Sequence, residues 1–362
     1  MSKAAELAAL IGSQTAQGNK NFIINGDMQI WQRTTAATAA NNSYATIDRW
    51  AFGESTDGAY TSEQSTDTPT GTGFSIKAQV TTADTSMASS QYAYIYQEIE
   101  AQNLQPLQYG TSSAKTFTLS FWVKSNKTGT YAIGIQKRDA TVYYLAIEYT
   151  IDSANTWEKK TITVSPTAGN TSFITASAGA IANDNGQGIQ LGFGLAWGSQ
   201  FNGATNNTWT TSTYYATSNH VNWMDSTDNN FYLAQVQLEI GEVATPFEHE
   251  DIGSTLRKCQ RYFLLPYGLT DNHNYAVQGP VASQIFWVIP HPVKMRAEPT
   301  QTVYGGTSKS QSGKAYDATN GDYETVNTTN FGHDGAYTMI LLTAGGTGIN
   351  YSFQRVELDA EL

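Results

Sequence analysis

Between residues 21 and 250 the hydrophobic positions of the chain recur at every second residue. In 116–124, Phe117, Leu119, Phe121 and Val123 fall on one face and polar residues, together with Trp122, on the other. The same alternation carries Leu191, Phe193, Leu195 and Trp197, interleaved with glycine and alanine. It later sets Val236, Leu238 and Ile240 against Gln235, Gln237 and Glu239. A period of two marks a strand with one buried face, because successive side chains leave a pleated strand on opposite sides. Runs of this kind, separated by Gly, Asn, Ser and Thr turns, predict an all-β chain whose main body, 21–263, is an antiparallel jelly-roll sandwich.

The two ends of the chain read differently. In 3–11, Ala4, Leu7, Ala8 and Ile11 are spaced as on a helix, with Ser2 as N-cap and Gly12 as stop. So short an amphipathic helix is marginal alone. Its stripe of Leu7, Leu10 and Ile11 is therefore expected to dock on a sister chain, another protein or its own domain, with the polar stretch 13–20 as tether. At the other end, 256–263 reads as a short helical or extended connector and 264–362 as a small C-terminal β domain. There Ile285, Trp287 and Ile289 alternate before Pro290-His291-Pro292, which confines the run to an edge or a strand end. Further strands are predicted over 300–304, 338–342 and 350–358, and an exposed loop or hairpin tip over 305–330.

Composition narrows the function. Charged residues make up 14% of the chain and hydrophobic ones 40%, so much of the surface polarity comes from uncharged Ser, Thr, Asn, Gln and Gly. The balance of 31 acidic against 20 basic residues, net −11, argues against a protein that tracks nucleic-acid phosphates. Cys259 is the single cysteine, so no internal disulfide exists, and its setting beside Leu256 and Phe263 reads as a buried structural thiol. No apolar run approaches the ~20 residues that span a bilayer. The first residues lack the basic-then-apolar plan of a secretory signal, so synthesis in a cytoplasm is expected.

Catalytic signatures are sparse. No Gly-x-Ser-x-Gly elbow, phosphate loop or His-Glu-x-x-His helix is present, and the five histidines are scattered at 220, 249, 273, 291 and 333. Paired carboxylates, the machinery of glycoside cleavage, have candidates in Glu98 and Glu100, two residues apart on one strand face. Glu148, Glu158, Asp184 and Glu239 lie elsewhere. The best candidate for ligand is aromatic. Trp197, Trp209, Tyr214, Tyr215 and Trp223 lie in one stretch rich in Asn, Thr, Ser and Gly and almost free of charge. Sugar rings offer apolar C–H faces and a hydroxyl rim, which flat aromatics with neighbouring amides match. The same rings would equally cover one end of the sandwich or pack on a sister subunit. Tyr316 and Tyr323 form a second candidate near the far end of the chain.

Several short motifs occur in a fixed order: Asn25-Gly26, Trp31-Gln32-Arg33, Asp48-Arg49-Trp50, Ser120 to Lys124, Asn155-Thr156-Trp157-Glu158, Val236 to Glu239, Ala244 to Glu248 and Cys259 to Tyr262. Together they resemble the tail-fibre or receptor-binding modules of bacteriophages, of marine or cyanobacterial type, with a domain like a jelly-roll carbohydrate-binding module. The resemblance covers about residues 21 to 263. It implies a virion protein that attaches the particle to host surface polysaccharide, forms a homotrimer and joins the tail or an adaptor through the N-terminal helix. It implies neither nucleic-acid binding nor membrane insertion. Motif residues such as Trp31, Asp48, Arg49, Trp50, Trp122 and Phe247 read as architecture rather than ligand contacts. By analogy with carbohydrate-binding modules, a structural calcium would take Asp27 in the opening strand with Glu239 or Glu248 near the closing one. A polysaccharide depolymerase using the paired carboxylates, and a purely structural head fibre or decoration protein, are the alternatives.

Overall fold

The computed structural model describes residues 20–266 except 40, 42 and 72, and then 275–278, 284–305, 310–317, 321–333, 337–344, 350–353 and 355–362. The predicted helix over 3–11, with Leu7, Leu10 and Ile11, lies outside the described residues. The chain divides into two compact units, the first ending at Glu250 and the second beginning at Asp251. Among the described residues no helix is long and apolar enough to cross a membrane.

Among the described residues the first unit has eleven strands: β1 (Ala36–Thr38), β2 (Ala51–Ser55), β3 (Ala59–Ser65), β4 (Ser75–Thr82), β5 (Tyr92–Glu100), β6 (Phe117–Ser125), β7 (Gly129–Lys137), β8 (Tyr143–Ile151), β9 (Glu158–Val164), β10 (Gln187–Trp197) and β11 (Asn230–Ile240). They form two antiparallel sheets, β1-β3-β4-β11-β6-β9 and β2-β5-β10-β7-β8. From β4 onward the pairing is nested: β4 with β11, β5 with β10, β6 with β9 and β7 with β8. That is one long hairpin whose strand pairs alternate between two sheets, the winding that defines a jelly roll.

The alternation in sequence maps directly onto the core between the sheets. Phe117, Leu119, Phe121 and Val123 of β6 meet Ile189, Leu191, Phe193 and Leu195 of β10 in one buried cluster. In β11 the inward phase begins on Phe231 and Leu233 and continues on Val236 and Leu238. A bulge makes that switch: Ala234 pairs Trp122 but Gln237 pairs Ser120, and Gln235 takes φ +48°. One extra residue restores the buried face, which a regular strand would have lost.

Three of the short motifs, Asn25-Gly26, Trp31-Gln32-Arg33 and Asp48-Arg49-Trp50, cluster in a buried knot beside this core. The Asn25 side chain donates to the carbonyls of Ile30 and Asp48 and accepts from the Ile30 amide, while the indole of Trp50 donates to the Asn25 carbonyl. Asp48, 0% exposed, accepts from Arg33 at 3.1 Å and from the amide and side chain of Gln32. Arg49, also buried, reaches the carbonyl of Glu98 at 2.6 Å. These residues are architecture, as expected. Segment 21–33, however, is not a strand: Asp27 sits in a turn, with Asn25 and Met28 at positive φ.

The second unit opens with α1 (Ile252–Gln260), capped by the Asp251 carboxylate on the Ser254 amide. Cys259 is buried on this helix. The expected domain boundary falls after 263; the helix instead belongs with the unit that follows. There β12 (Phe263–Leu264) and β15 (Thr300–Tyr304) flank β20 (Arg355–Asp359). A second sheet runs β13 (Tyr275–Gln278), β19 (Asn350–Phe353), β16 (Lys314–Asp317), β17 (Asp322–His333), β18 (Tyr337–Ala344), β14 (Gln284–Pro290). Of the expected exposed loop or hairpin tip over 305–330, the hairpin is what β16 and β17 form, because Thr and Tyr suit an extended backbone even where few residues are aliphatic.

Candidate functional site

The sheet β2-β5-β10-β7-β8 has apolar character on both faces. In β5, Ala93, Ile95 and Ile99 enter the core, so Tyr92, Tyr94, Tyr96 and Glu98 point outward. On that outer face Tyr94, Tyr96, Trp197, Ala51, Ala132 and Ala216 form a separate buried cluster, with Tyr44, Tyr92, Phe201 and Tyr215 half-buried at its margin. The rings are layered. Trp197 and Tyr215 are parallel within 5° at 5.0 Å, and Tyr94 stacks on both Trp197 and Tyr96 at 4.9 Å. Glycines make the floor. A Cβ on Gly53 would come within 2.0 Å of the Tyr94 ring, and one on Gly134 within 3.0 Å of Tyr215. Only bare backbone at these positions lets the aromatics lie flat against the sheet.

Tyr215 comes from the long β10–β11 connection, which folds back over the face. Its amide and that of Ala216 both donate to the Phe201 carbonyl, and Thr210 exchanges backbone hydrogen bonds with Tyr144 of β8. At one end of the layer lies a polar group. The Tyr215 hydroxyl donates to Gln136, whose amide donates to the Tyr144 hydroxyl. Beside them Glu98 accepts from Arg138 at 2.8 Å and Gln190 at 2.7 Å. Burial pushes the Glu98 carboxyl up, against the pull of Arg138 and Gln190. Burial likewise raises the Tyr94 and Tyr215 hydroxyls, so both stay neutral across physiological pH. The face thus joins flat aromatics to amides, hydroxyls and a charge-balanced ion pair.

The structure brings only part of the predicted aromatic set together here. Trp197 and Tyr215 lie in the layer, and Tyr214 is half-buried on the covering loop, against Gly203. Trp209 and Trp223 do not belong to it. They are 1% and 0% exposed in the main core, their indole N–H groups held by the carbonyls of Ser165 and Asn230. Neither has a face to offer a ligand, which corrects the expectation for both. Tyr316 and Tyr323 are cross-strand partners in the second unit, ring centroids 5.3 Å apart and half-buried.

The carboxylates are occupied by the protein's own donors. Glu239, 2% exposed, accepts from the Gln237 side chain and from the amide and hydroxyl of Thr245, and Glu248 accepts from the Asn21 amide. Burial raises the Asp27 carboxyl. Among the described residues no cluster of three or more His, Cys, Asp or Glu is placed to hold a metal ion. Glu100 accepts from Gln102, Glu148 from Thr217 and Asn219, and Glu158 from the amides of Asp152 and Ser153.

Tyr92, Tyr94, Tyr96, Gln136, Arg138 and Gln190 are absent from the candidates that the sequence suggests. A signal was present for the tyrosines: in 92–96 both phases of the alternation are non-polar, which means a strand covered on both faces. Nothing local marks the other three.

His220 lies beside Trp197 of this layer, both reaching the space that a Cβ on Gly194 would fill. Its Nδ1 is 2.6 Å from the Val221 carbonyl, its ring meets Tyr131 edge-on, and Nε2 is buried without a hydrogen-bond partner. Burial pushes its pKa down to about 4. The unfolded chain, with an ordinary value near 6.5, therefore binds the proton more readily. The stability that neutral His220 contributes is complete above about pH 6.5 and is lost as pH falls towards about 4. His220→Gln is expected to flatten the dependence of melting temperature on pH across that window; an unchanged slope would assign the acid sensitivity to another group.

No protein-family model matches the chain, and no curated protein sequence matches it either. Solved structures do. One is a Bacteroides thetaiotaomicron protein provisionally described as sugar-binding, 13% identical, covering 61% of this chain and 100% of its own, with a TM-score of 0.33. Another is the family 11 carbohydrate-binding module of Clostridium thermocellum, solved with a β-1,3-1,4-mixed-linked tetrasaccharide. It is 12% identical and covers 58% of this chain and 98% of its own, with a TM-score of 0.29. A third is the module TmCBM61 with β-1,4-galactotriose, 9% identical, covering 62% and 100%, TM-score 0.28. At these identities and scores the functional reading rests on the chain's own geometry.

Proposed function

We propose that the first unit is a non-enzymatic glycan-binding domain whose ligand lies across the outer face of β2-β5-β10-β7-β8. On this reading the whole chain is a phage virion protein that attaches the particle to host surface polysaccharide. The observation that carries the reading is the aromatic layer itself. Half-buried Tyr92, Phe201 and Tyr215 border stacked Tyr94 and Trp197, next to Gln136, Gln190 and a neutralised Glu98–Arg138 pair. Rings of this kind take the apolar face of a pyranose, and the amides and hydroxyls take its rim.

The attachment role is supported by the ordered motifs from Asn25-Gly26 to Cys259-Tyr262. Trimerisation, with docking through residues 3–11 to the tail or an adaptor, would multiply weak sugar contacts by effective concentration. Such a protein would be made in the host cytoplasm and function on the virion. The test is binding of the purified chain to host cells and to their extracted polysaccharide, with polymer length followed by viscosity. Saturable binding without shortening is expected. Tyr215→Ala should weaken it by about tenfold, equivalent to ~1.4 kcal/mol. Undiminished binding of this variant would remove the face from consideration, and a falling viscosity would make the protein a depolymerase.

A further inference from the structure

The opposite face of the sandwich carries a different aromatic group. On the outer side of β1-β3-β4-β11-β6-β9, cross-strand pairing sets Glu63, Lys77, Tyr232 and Lys124 in one row across four strands. Trp157, on the turn before β9, completes the row. The Lys124 ammonium lies 4.1 Å from the centre of the Tyr232 ring and 5.3 Å from that of Trp157, and the two rings meet edge to face at 6.0 Å. Asp67 pairs with Lys124 and accepts the Trp157 indole N–H at 3.0 Å; Glu63 pairs with Lys77.

Trp157 is placed with care for a half-buried surface residue. Asn155 turns the chain at φ +57° while its amide donates to the Ser125 carbonyl, and the Glu158 carboxylate caps the amides of Asp152 and Ser153. The indole belongs to neither buried cluster of the first unit. With its single polar atom already used by Asp67, what it turns to solvent is hydrocarbon. The row around it carries two ammonium groups and two carboxylates in pairs, so the surface is charge-balanced and hydrogen-bond-rich. Burial opposes ionisation of Asp67, yet the bonds from Lys124 and Trp157 outweigh it and hold the carboxyl below its ordinary value. Asp67 and Glu63 side chains are 47% and 38% exposed and retain acceptor capacity towards solvent.

We propose that Trp157 and Tyr232, flanked by Asp67 and Glu63, form a second glycan-binding site for a neutral pyranose, on the sheet opposite the first. A neutral sugar suits the surface because its ring covers the apolar indole and its hydroxyls donate to the exposed carboxylates. An acidic sugar would bring its charge against those same carboxylates. One chain would then hold two separate stretches of polysaccharide, a gain in avidity that needs no second subunit.

The test is calorimetric titration of the full-length protein with a panel of neutral gluco-, manno- and galacto-oligosaccharides and matching uronate oligomers. Two neutral oligosaccharides per chain are expected for wild type and one for Trp157→Ala. Trp157→Gln, which keeps a donor for Asp67 but removes the ring, should also bind one, with a melting temperature near that of wild type. Tyr215→Ala should lose the other site, so the two readings fail separately. One oligosaccharide per chain in wild type and both Trp157 variants would overturn the second site and leave the first standing. Preference for uronates, loss of oligomeric mass rather than of stoichiometry in Trp157→Gln, or no binding anywhere in the panel would each overturn the proposal.

Discussion

Replacing Trp223 by alanine is expected to destabilise the protein by about 3–5 kcal/mol, the range for truncating a fully buried large aromatic. Three features set that magnitude. The indole is 0% exposed, meets Tyr60 edge-on at 5.7 Å and donates to the Asn230 carbonyl at 3.1 Å. Alanine would leave a cavity between the sheets and a carbonyl without its donor. A loss of this size is a large fraction of a typical folding free energy of 5–15 kcal/mol. It should appear as a lowered guanidinium midpoint with little change in slope. The contrast with Tyr215 is informative, because that ring is half-buried on a loop and its removal should affect ligand binding far more than unfolding. A Trp223→Ala protein as stable as wild type, yet unable to bind glycan, would return Trp223 to the list of ligand contacts.

Asp48→Ala is expected to cost a comparable amount, about 3–5 kcal/mol, for an electrostatic reason. Arg33 is 6% exposed and pairs with Asp48 at 3.1 Å; removing the carboxylate takes this ion-pair partner from a buried guanidinium. The Gln32 amide and side chain lose an acceptor at the same time. Replacing both partners by apolar residues of similar volume should recover much of the loss, since the pair must first overcome the desolvation of two ions. Equilibrium unfolding of Asp48→Ala, Arg33→Met and the double variant measures this directly. Additive losses would mean that the pair is not coupled and that the cost lies in packing alone.

The fate of the aromatic stretch 197–223 shows where local reading ends. Trp197, Trp209, Tyr215 and Trp223 look alike in sequence, each set among Asn, Thr, Ser and Gly. They part because the β10–β11 connection has no period and because an irregularity between Gly194 and Ala196 takes Trp197, the last residue of β10, out of the inward phase of Leu191, Phe193 and Leu195. Each ring's position depends on which sheet the loop crosses at that point. Trp209 dips into the core beside Ser165, Trp223 beside Asn230, and Tyr215 is carried back over Gly134. Gln136, Arg138 and Gln190 were illegible for a related reason. Gln136 lies on β7, Arg138 just after it and Gln190 on β10, and they meet Glu98 or Tyr215 only through β5-β10-β7 pairing. Charge and amide content carry no mark of such company.

The strands themselves were legible because burial on one face imposes a period of two, a constraint written into each strand's own residues. Hence Phe117 to Val123, Leu191 to Leu195 and Val236 to Leu238 mark a sandwich in the sequence itself. The architectural role of Trp31, Asp48, Arg49 and Trp50 was legible as well. Which strands pair within the expected jelly roll, and the positive φ at Gln235 that keeps β11 in phase, emerge from the folded chain. So does the layering of Tyr94, Trp197 and Tyr215. Local sequence dictates which face of a strand is apolar; which apolar faces meet, and what lies on the outside of each sheet, depends on contacts between residues far apart in the chain.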